Sequence, residues 1–194
     1  MDSGPHSIFI AHSLPETRET LEKELKSLGH EIVGISSSCK ETLEHVIANP
    51  PRLIVSGIDF PDGDGVDTLV KISESRILPS IVVTSNATLE RVERAMDDHV
   101  MAYLMEPVDA VDLKPSIHVV LRRFEQFEEL HQEVRELKGA LSTRKKVERA
   151  KGILMAKNEL TEEEAYLQLR ASATKNRISM SKVADLIIDT HTGE

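Results

Sequence analysis

The chain of 194 residues carries three groups of side chains that invite a chemical reading. Asp59, Asp62 and Asp64 lie among Pro61, Gly63 and Gly65, and carboxylates this close together raise the question of a hard divalent cation such as calcium. Their spacing lacks the D-x-[DN]-x-[DN]-G order of a calcium loop, whereas Asp and Gly are the residues of tight turns, so a turn is expected. His12 follows Ile10-Ala11 with no base or ligand partner nearby in sequence, which suits the lining of a pocket better than catalysis. Arg144, Lys145, Lys146, Arg149 and Lys151 form a cationic group able to meet phosphates or to make a solvated helix face. No G-x-S-x-G, P-loop or H-E-x-x-H motif occurs, so an enzyme is not expected. Cys39 is the sole cysteine, which excludes an intrachain disulfide, and eight scattered histidines argue against structural zinc. Neither a metal nor a cofactor is expected.

The elements that must hold these residues change character along the chain. Apolar runs Ser7–Ala11, Glu31–Ile35, Arg52–Ser56, Ser80–Thr84 and Met101–Leu104 are short, rich in Ile and Val, and bounded by Pro, Gly or Asp. They read as five buried strands of a parallel sheet, separated by amphipathic helices such as Pro15–Leu28 and Lys40–Ala48. The expected fold class is α/β, a flavodoxin-like (βα)5 domain over 1–122. From about Asp112 the turn signals vanish, and a long helix over 112–142 links this domain to the C-terminal part of the chain. Ile117, Val120, Phe124, Phe127, Leu130, Val134, Leu137 and Leu141 recur at spacings of three and four, with a 3-3 slip at Phe124–Phe127–Leu130. That seam predicts a coiled coil with one stammer, dimerising through Phe127, Leu130, Val134, Leu137 and Leu141. The alternative is a last helix folding back on its own domain. Residues 143–194 then read as an all-α three-helix bundle. Its second helix opens on a Thr161–Glu164 capping box and buries Ala165, Leu167 or Leu169, and Ala173.

The segment Leu53-Ile54-Val55-Ser56-Gly57-Ile58-Asp59-Phe60-Pro61-Asp62-Gly63-Asp64-Gly65, with Val83-Thr84-Ser85 and Tyr103-Leu104-Met105-Glu106-Pro107, resembles a bacterial response-regulator receiver over roughly residues 7–122. The resemblance implies an acidic pair holding Mg²⁺, an aspartate taking a phosphoryl group, and a lysine before proline pairing with the phosphate. In this chain His12 and Ser13 stand at the acidic pair, Gly57 at the phosphoacceptor and Glu106 at the lysine. Only the switch pair, Thr84 and Tyr103, matches. Glu106 would also repel a bound phosphate. The expectation is a pseudo-receiver that does not use aspartyl phosphorylation. The counter-reading has Asp59 replace the acceptor, but the metal would then lack hard ligands.

Composition points away from nucleic acid at first. The chain is 40% apolar and 29% charged, carries a net charge of −9, and is only 3% aromatic with no Trp. The charge divides unevenly, however. Residues 142–194 hold ten Lys and Arg against eight Asp and Glu, while residues 1–141 hold fourteen against twenty-five. The stretch Arg144-Lys145-Lys146-Val147-Glu148-Arg149-Ala150-Lys151-Gly152-Ile153-Leu154-Met155, followed by Glu164-Ala165-Tyr166, Leu169-Arg170, Ala173 and Val183-Ala184, resembles the ANTAR domain. That family is an RNA-binding module of bacterial transcription antiterminators. The resemblance implies binding of hairpin leader RNA, usually as a dimer. Arg144, Lys145, Arg149, Lys151, Arg170, Asn176 and Arg177 are the expected RNA contacts, with Lys175 and Lys182 nearby. Tyr166, at a core position of the family pattern, leaves no aromatic for stacking on a sheet, so shape, phosphates and polar base contacts are expected to carry recognition.

The expected protein is a phosphorylation-independent antitermination regulator, controlled by a sensor or regulator protein at the pseudo-receiver. The alternative is a protein-interaction adaptor that binds no RNA. No leader or membrane-length apolar run occurs, so a cytoplasmic location is expected.

Overall fold

The computed structural model describes residues 4–85 and 100–192. The chain divides into two compact units, Met1–Phe127 and Glu128–Glu194. In the first, β1 (Ser7–Ala11), α1 (Pro15–Ser27), β2 (Glu31–Ser36), α2 (Cys39–Ala48) and β3 (Leu53–Ser56) follow one another. A small hairpin of β4 (Asp59–Phe60) and β5 (Gly63–Asp64) precedes α3 (Gly65–Ser75), β6 (Ser80–Thr84) and β7 (Val100–Met105). The five long strands form one parallel sheet in the order β2-β1-β3-β6-β7, and β4 pairs antiparallel with β5. The connection between β6 and β7 lies outside the described residues.

Alternation along the strands decides which helix covers which face. Ile8, Ile10, Leu53, Val55, Ile81 and Val83 point to one side, where Leu21 and Leu25 of α1 meet them. Phe9, Ala11, Ile54 and Val82 point to the other, against Val46 of α2 and Val66, Leu69 and Ile72 of α3. The five expected strands are all present. The hairpin at 59–64 is an addition that the turn-rich sequence did not announce.

The last long helix, α4 (Ala110–Asn158), corrects the expected seam. Leu113, Ile117, Val120 and Leu121 belong to the core beneath the sheet, and Phe124 is buried at 3% exposure. Ile117, Val120 and Phe124 therefore finish the N-terminal domain, which still had an uncovered sheet face to offer. Phe127 is half-buried and stacks on Phe124, with ring centroids 6.1 Å apart. Beyond it Leu130, Val134, Leu137 and Leu141 stand 58%, 39%, 62% and 54% exposed. The 3-3 slip marks where the apolar stripe leaves the sheet and turns to solvent.

In the second unit the end of α4 joins α5 (Glu162–Asn176) and α6 (Met180–Thr192). Ala150, Leu154, Ala165, Leu169, Ala173, Val183 and Ala184 form its core. Leu169 is buried and Leu167 exposed, which settles the choice between them. The capping box forms as expected: Glu164 N–H donates to Thr161 Oγ1, and Thr161 N–H donates to the Glu164 carboxylate. Small residues at the helix contacts let short helices approach closely, at the cost of a thin core.

Phe124→Ala is expected to destabilise the N-terminal unit by about 3–5 kcal/mol, as for other buried aromatics cut to alanine. Val119→Ala, on the exposed side of the same helix, should change stability by less than about 0.5 kcal/mol. Denaturant unfolding of the full chain checks both, and equal effects would return Phe124 to the seam.

Candidate functional site

In a doubly wound sheet, ligands and chemistry collect at the carboxyl ends of the strands where strand order reverses. Here that point lies between β1 and β3, and His12 and Gly57 follow those two strands directly. Gly57 N–H donates to Ala11 O at 2.7 Å and His12 N–H to Ser36 O at 3.0 Å, which pins both backbones. The His12 side chain is buried. Its Nδ1 accepts from Leu14 N–H at 3.2 Å, so the ring proton sits on Nε2, which donates to Glu106 Oε1 at 2.9 Å. Thr17 Oγ1 lies 3.5 Å from Glu106 Oε2. Arg18 Nη1 donates to the carbonyls of His12 and Ser13 and holds the loop in place.

The consequence for Gly57 is steric. A Cβ built on it would meet His12 Cδ2 at 2.5 Å, so the imidazole occupies the space a phosphoacceptor side chain would need. Gly65 is equally constrained, since a Cβ there would stand 2.0 Å from Gly57 O. Thr84 is buried at the end of β6, and its carbonyl accepts from Glu106 N–H at 3.0 Å. Tyr103 is half-buried against the α2/α3 side of the sheet. The strand ends thus bring His12, Gly57, Thr84 and Glu106 together, and the His12–Glu106 pairing is the part that sequence did not reveal.

The acidic loop serves structure. Asp62 accepts from the backbone N–H groups of Cys39 and Lys40 at 2.9 and 3.0 Å, capping α2 from across the fold. Those two donors hold its carboxyl below the usual aspartate range. Asp64 caps α3 through Val66 N–H and Asp67 N–H. Asp59 lies exposed in β4, two residues beyond Gly57.

The cations of the bundle separate into two sets. Lys151, expected at an RNA surface, is instead 7% exposed and donates to Glu162 at 2.7 Å, with Glu148 2.9 Å away. Those carboxylates, Glu162 foremost, raise the Lys151 pKa, and Lys151 in turn lowers that of Glu162. It ties α4 to α5: the chain reversal after α4 sets Glu162 against it, so Lys151 is covered while Arg144, two turns earlier on the same flank, stays exposed. Lys146 similarly pairs with Asp185 of α6 at 2.9 Å. Arg144, Lys145, Arg149, Arg170, Lys175, Arg177 and Lys182 are exposed and make no ion pair among the described residues. Asn176 is exposed too, and its amide donates to Ser172 O at 2.9 Å.

Two residues depart from what sequence implied. Tyr166 is 42% exposed, not part of the core, so the bundle does present an aromatic to solvent. Its neighbours Ala165 and Leu169 fill the core stripe and leave Tyr166 beside it. Arg177 has φ 54° and ψ 40°, the left-handed position closing α5, where glycine is the usual occupant.

The chain matches the "Response regulator receiver domain" family over residues 8–118 and the "ANTAR domain" family over residues 135–188. It is 36% identical to "Transcriptional regulatory protein PdtaR" of Mycobacterium tuberculosis over 186 residues, covering 96% of this chain and 91% of that protein. Among solved structures, a CheY-like receiver domain protein from Methanospirillum hungatei superposes with a TM-score of 0.59 at 26% identity. It spans 63% of this chain and 98% of that one. The receiver domain of a modulated diguanylate cyclase from Desulfovibrio desulfuricans gives the same TM-score at 25% identity, over 63% and 98% of the two chains. The chain belongs to the response-regulator receiver family, with an ANTAR domain following the receiver. Among the described residues, no helix is long and apolar enough to cross a membrane.

Gly57→Ala is expected to cost about 1–3 kcal/mol by overpacking against the His12 ring. Most of that cost should vanish in a His12→Ala background. A double-mutant cycle by thermal melting measures the coupling, and additivity would show that the ring does not fill the space.

Proposed function

We propose that this chain is an RNA-binding transcription antitermination regulator whose pseudo-receiver, residues 1–122, works without aspartyl phosphorylation. The ANTAR module, 143–194, binds hairpin leader RNA, and α4 pairs two copies through residues of the 112–142 segment. The protein acts in the cytoplasm and carries no catalytic chemistry of its own. The observation that carries the reading is electrostatic: in a chain of net charge −9, the family-matched bundle holds seven exposed cations without ion pairs among the described residues. Arg144, Lys145 and Arg149 on α4, with Arg170 in the middle of α5 and Asn176 and Arg177 at its end, supply the contacts. Lys151 is withdrawn from that set, because its ammonium already holds Glu162 and Glu148. At the pseudo-receiver, His12 fills the acceptor space and Glu106 replaces the phosphate's counter-ion, which supports control by a partner protein.

The dimer is argued from the exposed seam. With Val134 and Leu141 as a positions and Leu130 and Leu137 as d positions, the β-branched and leucine choices suit a two-stranded coil. Glu133 and Lys138 then fall at g and e. Neither has a partner within the described chain, and in a parallel, in-register pair each Glu133 faces Lys138 of the second copy. An antiparallel pair would instead set like charges together. Beyond Leu141 the seam positions are Arg144 and Glu148, so the apolar contact ends as the bundle begins.

Tandem-hairpin RNA should bind the wild-type chain, with affinity falling steeply with salt as phosphate contacts release counter-ions. Arg149→Glu should abolish that binding while leaving the dimer intact. Loss of protein-partner binding without any RNA affinity in the wild type would favour the adaptor reading. For the dimer, sedimentation should show Glu133→Lys weakening association and Glu133→Lys with Lys138→Glu restoring it; no restoration would reject the parallel register.

A further inference from the structure

We propose that Tyr166, with Arg170, forms a stacking subsite on α5 that takes one unpaired nucleobase from the loop of a bound RNA hairpin. The inference rests on the RNA-binding reading and adds a contact that phosphate neutralisation alone does not supply. Ala165, Leu169 and Ala173 form the buried stripe of α5, and Tyr166 lies beside that stripe at 42% exposure. It is the only aromatic between residues 128 and 194, and its ring is available where the rest of the bundle surface is polar or aliphatic. Arg170 lies one turn further along the same helix, exposed and without an ion pair among the described residues, so a guanidinium can flank a base seated on the phenol ring.

Two further details fit a base better than a phosphate. Glu163, exposed three residues before Tyr166, gives that end of the patch an acidic border that repels phosphate but not an uncharged base. Glu162, four residues before Tyr166, is already neutralised by Lys151.

The test uses the full chain and a tandem-hairpin RNA selected in vitro from a pool with randomised loops. Tyr166→Phe should bind within about twofold of wild type, and Tyr166→Ala should lose about tenfold or more, the range for removing one base–aromatic stack. Replacing the contacted loop nucleotide by an abasic site should produce the same loss in wild type and none further in Tyr166→Ala. Wild-type affinity in Tyr166→Ala, or an equal loss for hairpin stems lacking the loop, would overturn the subsite while leaving RNA binding in place. A pool that yields no binder to the wild-type chain would overturn both.

Discussion

An α-helix offers one apolar stripe at a time, and α4 has three surfaces to satisfy along its 49 residues. Its first turns close the sheet with Leu113, Ile117, Val120 and Leu121, its middle presents Leu130 to Leu141, and its end supplies Ala150 and Leu154 to the bundle. The pattern must be re-aimed between these stretches without breaking the backbone hydrogen bonds. The slip at Phe124–Phe127–Leu130 does this once. Where the seam gives way to the bundle, charged residues take over the seam positions and the core moves to another side of the helix. Neither the N-terminal sheet nor the C-terminal bundle is complete without its share of α4.

The N-terminal domain keeps the receiver architecture while changing what its strand ends hold. A functioning acceptor site needs open space, hard oxygen ligands and a cation facing the phosphoryl group. The chain has a filled space, an imidazole and a carboxylate. His12 and Glu106 satisfy one another, so the pocket is held by an internal hydrogen bond rather than awaiting charge from outside. The acids that survive nearby, Asp62 and Asp64, are spent on the N-termini of α2 and α3.

Local physics was legible in the sequence where it depends on neighbours. The five strands follow from short Ile- and Val-rich runs between turn residues, and the Thr161–Glu164 box follows from a spacing of three. The hidden part depends on which element covers which. The period of Ile117 to Leu141 shows a stripe but not its partner, so the half that belongs to the sheet read as the start of the coiled-coil pattern. Lys151 and Arg144, seven apart, read as one cationic flank. Only the chain reversal that brings Glu162 to Lys151 turns one of them inward. His12 and Glu106 lie 94 residues apart and meet through strand order alone. Tyr166 read as core from its place in the family pattern, while a bundle built on alanines has little volume for a ring.

The unbroken helix also has a consequence for chain length. Each residue added to or removed from the stretch between Leu130 and Leu141 turns the seam residues beyond it by about 100° around the helix axis relative to those before it. A single-residue deletion there leaves both domains chemically unaltered yet splits the seam into two stripes that no longer share one face. Changes of about seven residues nearly restore the phase. The length of this segment is therefore constrained in steps, as a reading frame is, even though most of its side chains face water.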